Sequence, residues 1–149
     1  METFDVIVIG AGSAGVSAAL RAAGQGARVC IIEQDRIGGS CLHSGLYPIK
    51  FGRGLLKDNK SDFSVNGVIN VKKLFLTITE TMRILSHRWE QKLIESGVTI
   101  KTGIGLPLSS VLVQVGSNGK TFDIGTKKII IATGSSPIPL PTLPFEGDI

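Results

Sequence analysis

Only two cysteines, Cys30 and Cys41, and two histidines, His43 and His87, occur among the 149 residues. The cysteines stand neither as C-x-x-C nor at metal-ligand spacing, which excludes a disulfide framework and a zinc site. Cys30 lies inside an apolar run, where a buried, inert thiol is expected. No serine or acidic motif accompanies His43, so a triad is excluded and a satisfied structural histidine is expected. Long apolar runs are missing too: Val6 to Ile9 and Ile129 to Ala132 are far too short to cross a bilayer. Glu2 and Asp5 leave no basic leader region, so a soluble, cytoplasmic protein without a membrane partner is expected. Charge of one sign is also thinly spread. The net charge of +4 comes from basic residues interleaved with acids, so nucleic acid is not an expected partner.

What is present fits one domain spanning 1–149. A chain of this size can bury roughly 68–70% of its unfolded surface without metals or disulfides. Phe4 to Ile9 is a short β-branched run ending at Gly10, as expected of a parallel strand buried on both faces. Small and apolar residues from Ser13 to Gln25 predict a helix packed closely on a sheet, closed by Gly24 and Gly26, and Arg28 to Glu33 predicts the second strand. The segment around Cys41 reads as a helix that Pro48 enters or kinks, running on towards Asp58, with an exposed loop over Asn59 to Asn70. Spacings of three and four through Leu74, Ile78, Met82, Leu85, Trp89 and Leu93 predict a long helix from Val71 to Ser96, stopped by Gly97. Strands are predicted at Val98 to Thr102, at Val111 to Val115 and Thr121 to Ile124 across Gly116–Gly119, and at Lys128 to Ala132. The proline-rich stretch 135–149 reads as an extended exit segment. The fold class is α/β, with a parallel central sheet and a small antiparallel β-meander.

Gly10-Ala11-Gly12-Ser13-Ala14-Gly15 is a G-x-G-x-x-G sequence set between a predicted strand and a predicted helix. Gly10 permits the tight turn, Gly12 lets backbone approach a pyrophosphate, and Gly15 lets helix and strand pack closely. The amides of Ser13 and Ala14, at the helix start, face the phosphate with the helix dipole behind them. Glu33 ends the second strand, where a carboxylate accepts hydrogen bonds from both hydroxyls of an adenosine ribose and repels a 2'-phosphate. The fingerprint alone leaves FAD and NAD open.

Two later segments narrow the choice. Gly38-Gly39-Ser40-Cys41-Leu42-His43-Ser44-Gly45-Leu46-Tyr47-Pro48-Ile49-Lys50 and the strand end Ala132-Thr133-Gly134 resemble the Rossmann-like FAD domain of the flavoprotein disulfide reductases, which include dihydrolipoamide dehydrogenase, glutathione reductase and mercuric reductase. The resemblance covers nearly the whole chain and implies FAD as cofactor. It implies that Gln34 is among the cofactor-binding residues, and that Gly39, Ser40 and Cys41 line pyrophosphate, ribityl chain and flavin. Gly105 would meet the adenine edge, Ala132, Thr133 and Gly134 would close over the phosphates, and the Lys50 ammonium would sit beside the flavin N5 region.

The family pattern has a second cysteine where this chain has Leu46, and a serine where it has Ile49. One thiol cannot close an intrachain disulfide, so Cys41, the candidate catalytic residue, is either an exchanging thiol or an inert remnant. Soluble pyridine nucleotide transhydrogenases also lack the second cysteine and keep the Cys41, His43 and Gly45 arrangement. They pass hydride through FAD alone. Family members continue into an NAD(P) domain and a dimerisation domain, neither of which is expected within 1–149. Three readings therefore stand: the FAD-binding domain of a pyridine nucleotide-dependent flavoprotein oxidoreductase, inactive alone; a portion of a flavin-only transhydrogenase-like enzyme; or a non-catalytic nucleotide-binding or self-associating remnant. A homodimer through an exposed apolar face is the expected protein partner.

Overall fold

A computed structural model describes residues 1–58, 60–136 and 138. Most of the predicted exit segment 135–149 lies outside the described residues. Strand β1 (Glu2–Ile9) leads through the glycine-rich turn into helix α1 (Ser13–Ala23) and strand β2 (Val29–Glu33), forming a β-α-β unit. Two helices come next, α2 (Gly39–His43) and α3 (Leu46–Asp58), where one was expected. The break falls at Ser44-Gly45, so Pro48 sits in the first turn of the second helix, where its missing N–H costs nothing.

The expected loop from Asn59 to Asn70 needs correction. Its described part holds a 3-10 turn (Lys60–Phe63) and a hairpin of β3 (Ser64–Val65) and β4 (Val68–Ile69). Asn66 and Gly67 both take positive φ, as a two-residue hairpin turn demands. Helix α4 (Val71–Glu95) matches the predicted bounds within a residue, and the Asn70 side chain caps it by accepting from the Lys73 N–H at 2.9 Å.

The remaining strands are β5 (Thr99–Thr102), β6 (Ile104–Ser109), β7 (Leu112–Ser117) and β8 (Lys120–Ile131). Two corrections arise here. Strand β6 was not expected, and its Pro107 is tolerated because β6 is the sheet's edge. The predicted strands Thr121–Ile124 and Lys128–Ala132 are one continuous strand. β8 pairs antiparallel with β7 through its first half and parallel with β1 through its second. Thr126 marks the change of partner: it is buried, its backbone N–H bonds the Val111 carbonyl at 2.9 Å and its Oγ1 donates to the Lys128 carbonyl at 2.9 Å. Next to it, the Lys127 ammonium lies 2.8 Å from Asp5 and holds that carboxyl below its ordinary range, aided by the Arg28 backbone N–H.

The six-stranded sheet runs β5-β2-β1-β8-β7-β6, parallel on the β5 side and antiparallel on the β6 side. Each face has its own core. Val8, Val29 and Ile31 meet Val16 and Ala19 of α1 and Leu93 of α4. On the opposite face, Ile7, Ile9, Cys30 and Ile32 meet Val113, Val115 and Ile124 of the curled-back meander. Alternation along β2 thus feeds both layers, which is why this strand reads as a continuous apolar run. Closeness of the layers is set at Gly105, where an added Cβ would stand 3.1 Å from Ile9 and 3.2 Å from Ile32.

Candidate functional site

The ends of β1, β2 and β8 and the start of α2 enclose a cleft of about 420 Å³. All three strands are parallel there, so their carboxyl ends open on the same side, the usual ligand face of such sheets. Gly10 takes φ +98°, and an added Cβ would collide with the Ala132 carbonyl. At Gly15 an added Cβ would collide with the Gly10 carbonyl, so helix and turn touch directly.

Gly12 differs from both. Its φ of −69° suits any residue, and an added Cβ would meet no protein atom within 4 Å, so the glycine leaves open space in the cleft it lines. No side chain caps α1, and no acidic residue lies in its first turn. The first backbone bond runs from the Val16 N–H to the Gly12 carbonyl at 2.9 Å, and Ser13 and Ala14 line the cleft. An uncapped helix start with unobstructed backbone approach fits a phosphate group.

Glu33 closes the cleft on the β2 side. Its Oε2 accepts from the Ala11 N–H at 2.6 Å and its Oε1 from the Asp35 N–H at 2.9 Å. Each oxygen keeps further acceptor capacity, so Glu33 can brace the turn and still receive hydroxyl donors. Gln34 lines the cleft beside it. A second hollow of about 140 Å³ adjoins the first, sharing Gly10, Glu33, Gln34 and Thr133 and extending to Gly103 and Gly105.

The far wall is the Cys41 segment. Its entry is bonded to the glycine-rich turn by the Gly38 N–H and the Ala11 carbonyl at 2.8 Å, with a bridge between Gly12 and Gly38. Gly38 and Gly39 both take positive φ, and an added Cβ on Gly39 would stand 3.0 Å from the Gly12 Cα. Leu42 is fully buried and anchors α2. His43 Nε2 lies 2.9 Å from the Ile37 carbonyl, which also accepts from Ser86 Oγ at 2.6 Å. A carbonyl only accepts, so Nε2 carries the proton.

The structure brings Gly10, Gly12, Ser13, Ala14, Glu33, Gln34, Gly39, Ser40, Cys41, Ala132, Thr133 and Gly134 to one cleft. Gly15 stands behind it, and Gly105 lines the adjoining hollow. Lys50 is exposed on α3 and lines neither. Both cysteines are free. Burial pushes the Cys30 thiol up to about 12, whereas Cys41 is partly exposed on the cleft wall. Leu46 opens α3 half-exposed. Sequence reasoning missed Asp35, Arg36, Gly38, His43, Ser44, Ser135 and Ser136 as cleft residues. Arg36 carried no readable signal, since a charged loop residue has no period. Among the described residues no group of three metal-ligating side chains forms, and no helix is long and apolar enough to cross a membrane.

Comparison with known proteins places the chain in a family. Residues 4–148 match the family model described as pyridine nucleotide-disulphide oxidoreductase. A dihydrolipoyl dehydrogenase from Buchnera aphidicola subsp. Schizaphis graminum is 34% identical over 95% of this chain and 32% of its own length. A glutathione reductase from Nostoc sp. is 35% identical over 95% of this chain and 31% of its own. The solved structure of a Cu(II) complex of the HOCl-induced flavoprotein disulfide reductase RclA from Escherichia coli superposes with a TM-score of 0.78 at 23% identity. That match covers 95% of this chain and 31% of RclA, and it shows the fold alone. The chain spans about a third of the length of the curated relatives it matches.

Proposed function

The chain belongs to the pyridine nucleotide-disulphide oxidoreductase family, and from that premise we propose that it is the FAD-holding part of a nicotinamide-linked oxidoreductase working without an intrachain dithiol. Members of the family are FAD-dependent flavoproteins. One observation carries the reading: the uncapped start of α1, the open side of Gly12 and the Glu33 carboxylate share one cleft. Ser13 and Ala14 would hold the diphosphate through their amides, Glu33 and Gln34 the adenosine ribose, and Gly105 the adenine edge. Ala132, Thr133 and Gly134 would close the opposite side, leading towards Gly39, Ser40 and Cys41. When bound, FAD supplies a ring that accepts and returns an electron pair.

Cys41 brings a single thiol to the cleft wall, and Leu46 offers no partner for it. A dithiol relay is therefore not part of the proposal, and the transhydrogenase-like reading, in which flavin alone carries hydride, fits the same residues. Lys50 keeps its place beside the flavin on sequence register alone. These 149 residues are proposed to bind without turnover, because only one strand, glycine-rich turn and helix unit occurs among the described residues. A cytoplasmic location accords with two free thiols.

Self-association is the proposed protein contact. Ile104, Leu106 and Leu108 are exposed on the edge strand β6, a surface that favours burial against another chain.

Purified protein is expected to carry or take up FAD, read as a flavin absorption band that stays with the protein through gel filtration. Colourless protein that takes up no added FAD would overturn the cofactor reading and leave the remnant. Sedimentation is expected to show dimer at high concentration, and a clean monomer there would count against the apolar face.

A further inference from the structure

The cleft is short of positive charge for an anionic ligand. Among the described residues lining it, Glu33 and Asp35 are acidic and Arg36 is the one lysine or arginine. A diphosphate would add two negative charges to that wall, set against about half a positive charge from the start of α1. Arg36 lies on the loop between β2 and α2. That loop is fixed against the phosphate-type turn on one side by the Glu33 bond to Ala11 and on the other by the Gly38 bond to Ala11.

Arg36 Nε lies 3.5 Å from the Asp35 carboxylate, and both side chains are well exposed, at 65% and 72%. An exposed pair of that length holds weakly and is easily exchanged for a doubly charged partner. A guanidinium also matches phosphate oxygens with a fork of parallel donors.

We propose that Arg36 is the counter-ion of the cofactor's diphosphate, exchanging Asp35 for the phosphate oxygens when an adenine nucleotide enters the cleft. Arg36 is thereby a specificity residue, selecting diphosphate-bearing nucleotides over the bare nucleoside. The inference rests on the cofactor reading, and its test separates the two.

Calorimetric titration of the 149-residue protein with FAD, ADP and adenosine supplies the readout, repeated for Arg36→Gln and Arg36→Lys. Arg36→Gln is expected to weaken ADP and FAD about tenfold while leaving adenosine unchanged. Arg36→Lys should recover part of the loss. Raising salt should weaken ADP less in Arg36→Gln than in the parent protein. Equal loss for ADP and adenosine, or no loss for either, would overturn the role of Arg36 while the cofactor reading stands. Parent protein that binds none of the three ligands would overturn that reading and this inference with it.

Discussion

The glycine-rich turn and the Cys41 segment form two walls of one cleft, but they are held there by different means. The turn is fixed by backbone contact: Gly10 and Gly15 leave no room for a Cβ, and β1 and β2 beside them are buried on both faces. The Cys41 segment touches that turn by backbone only at Gly38 and Gly39, and beyond them hangs on one buried leucine and the shared Ile37 carbonyl, while Leu46, Tyr47 and Ile49 are exposed. A wall held by backbone cannot change residue without losing shape. A wall held at a few points can exchange its chemical side chains freely, which explains how Leu46 replaces a family cysteine without disturbing the fold.

The sharpest test sets two glycines of one turn against each other. Gly15→Ala is expected to cost more than about 4 kcal/mol in urea unfolding, because the new methyl must displace backbone. Gly12→Ala should stay within about 0.5 kcal/mol of the parent and lose FAD uptake. If Gly12→Ala destabilises as much as Gly15→Ala, the division between packing and ligand glycines fails.

A middle-sized effect is expected in the other wall. Leu42→Ala should cost about 2–3 kcal/mol, the lower end for a buried leucine, since a five-residue helix can settle into the space. A loss exceeding that of Gly15→Ala would reverse the comparison.

The smallest effect concerns the thiols. At pH 8 one thiol, Cys41, should react with a disulfide reagent in native protein, and two should react in urea. Cys30 has its pKa raised from 9.0 to about 12 by burial, so folding retains a proton that the unfolded chain releases first. Its contribution to stability is whole below about pH 9 and is lost progressively as pH rises towards 12. Urea midpoints measured across that window should fall, and Cys30→Ala should flatten the fall.

Much of this was legible in the chain itself. β1, α1, β2 and α4 were readable within a few residues because their apolar patterns are strong and glycines close β1, α1 and α4. β6 escaped notice because Gly105 and Pro107 read as turn residues, although an edge strand tolerates proline. The continuity of β8 was hidden by Gly125-Thr126-Lys127. That stretch interrupts the apolar pattern where the strand exchanges one neighbour for another, a property of the sheet as a whole. In the site, spacing identified the glycines that the structure places at the turn beside the cleft. Arg36 was missed because a charged loop residue has no period, and its position depends on bonds that Glu33 and Gly38 make to Ala11.

β8 has a consequence for the order in which the molecule is made. It lies at the centre of the sheet, yet its Thr126 meets Asp5 across 121 residues of chain, so a central position is filled by a segment synthesised well after the strand beside it. Until then β1 has a partner on only one side, and the cleft lacks the wall that begins at Ala132. Contacts so distant along the chain form slowly, and a nascent chain on the ribosome therefore exposes an unfinished cleft until β8 has emerged.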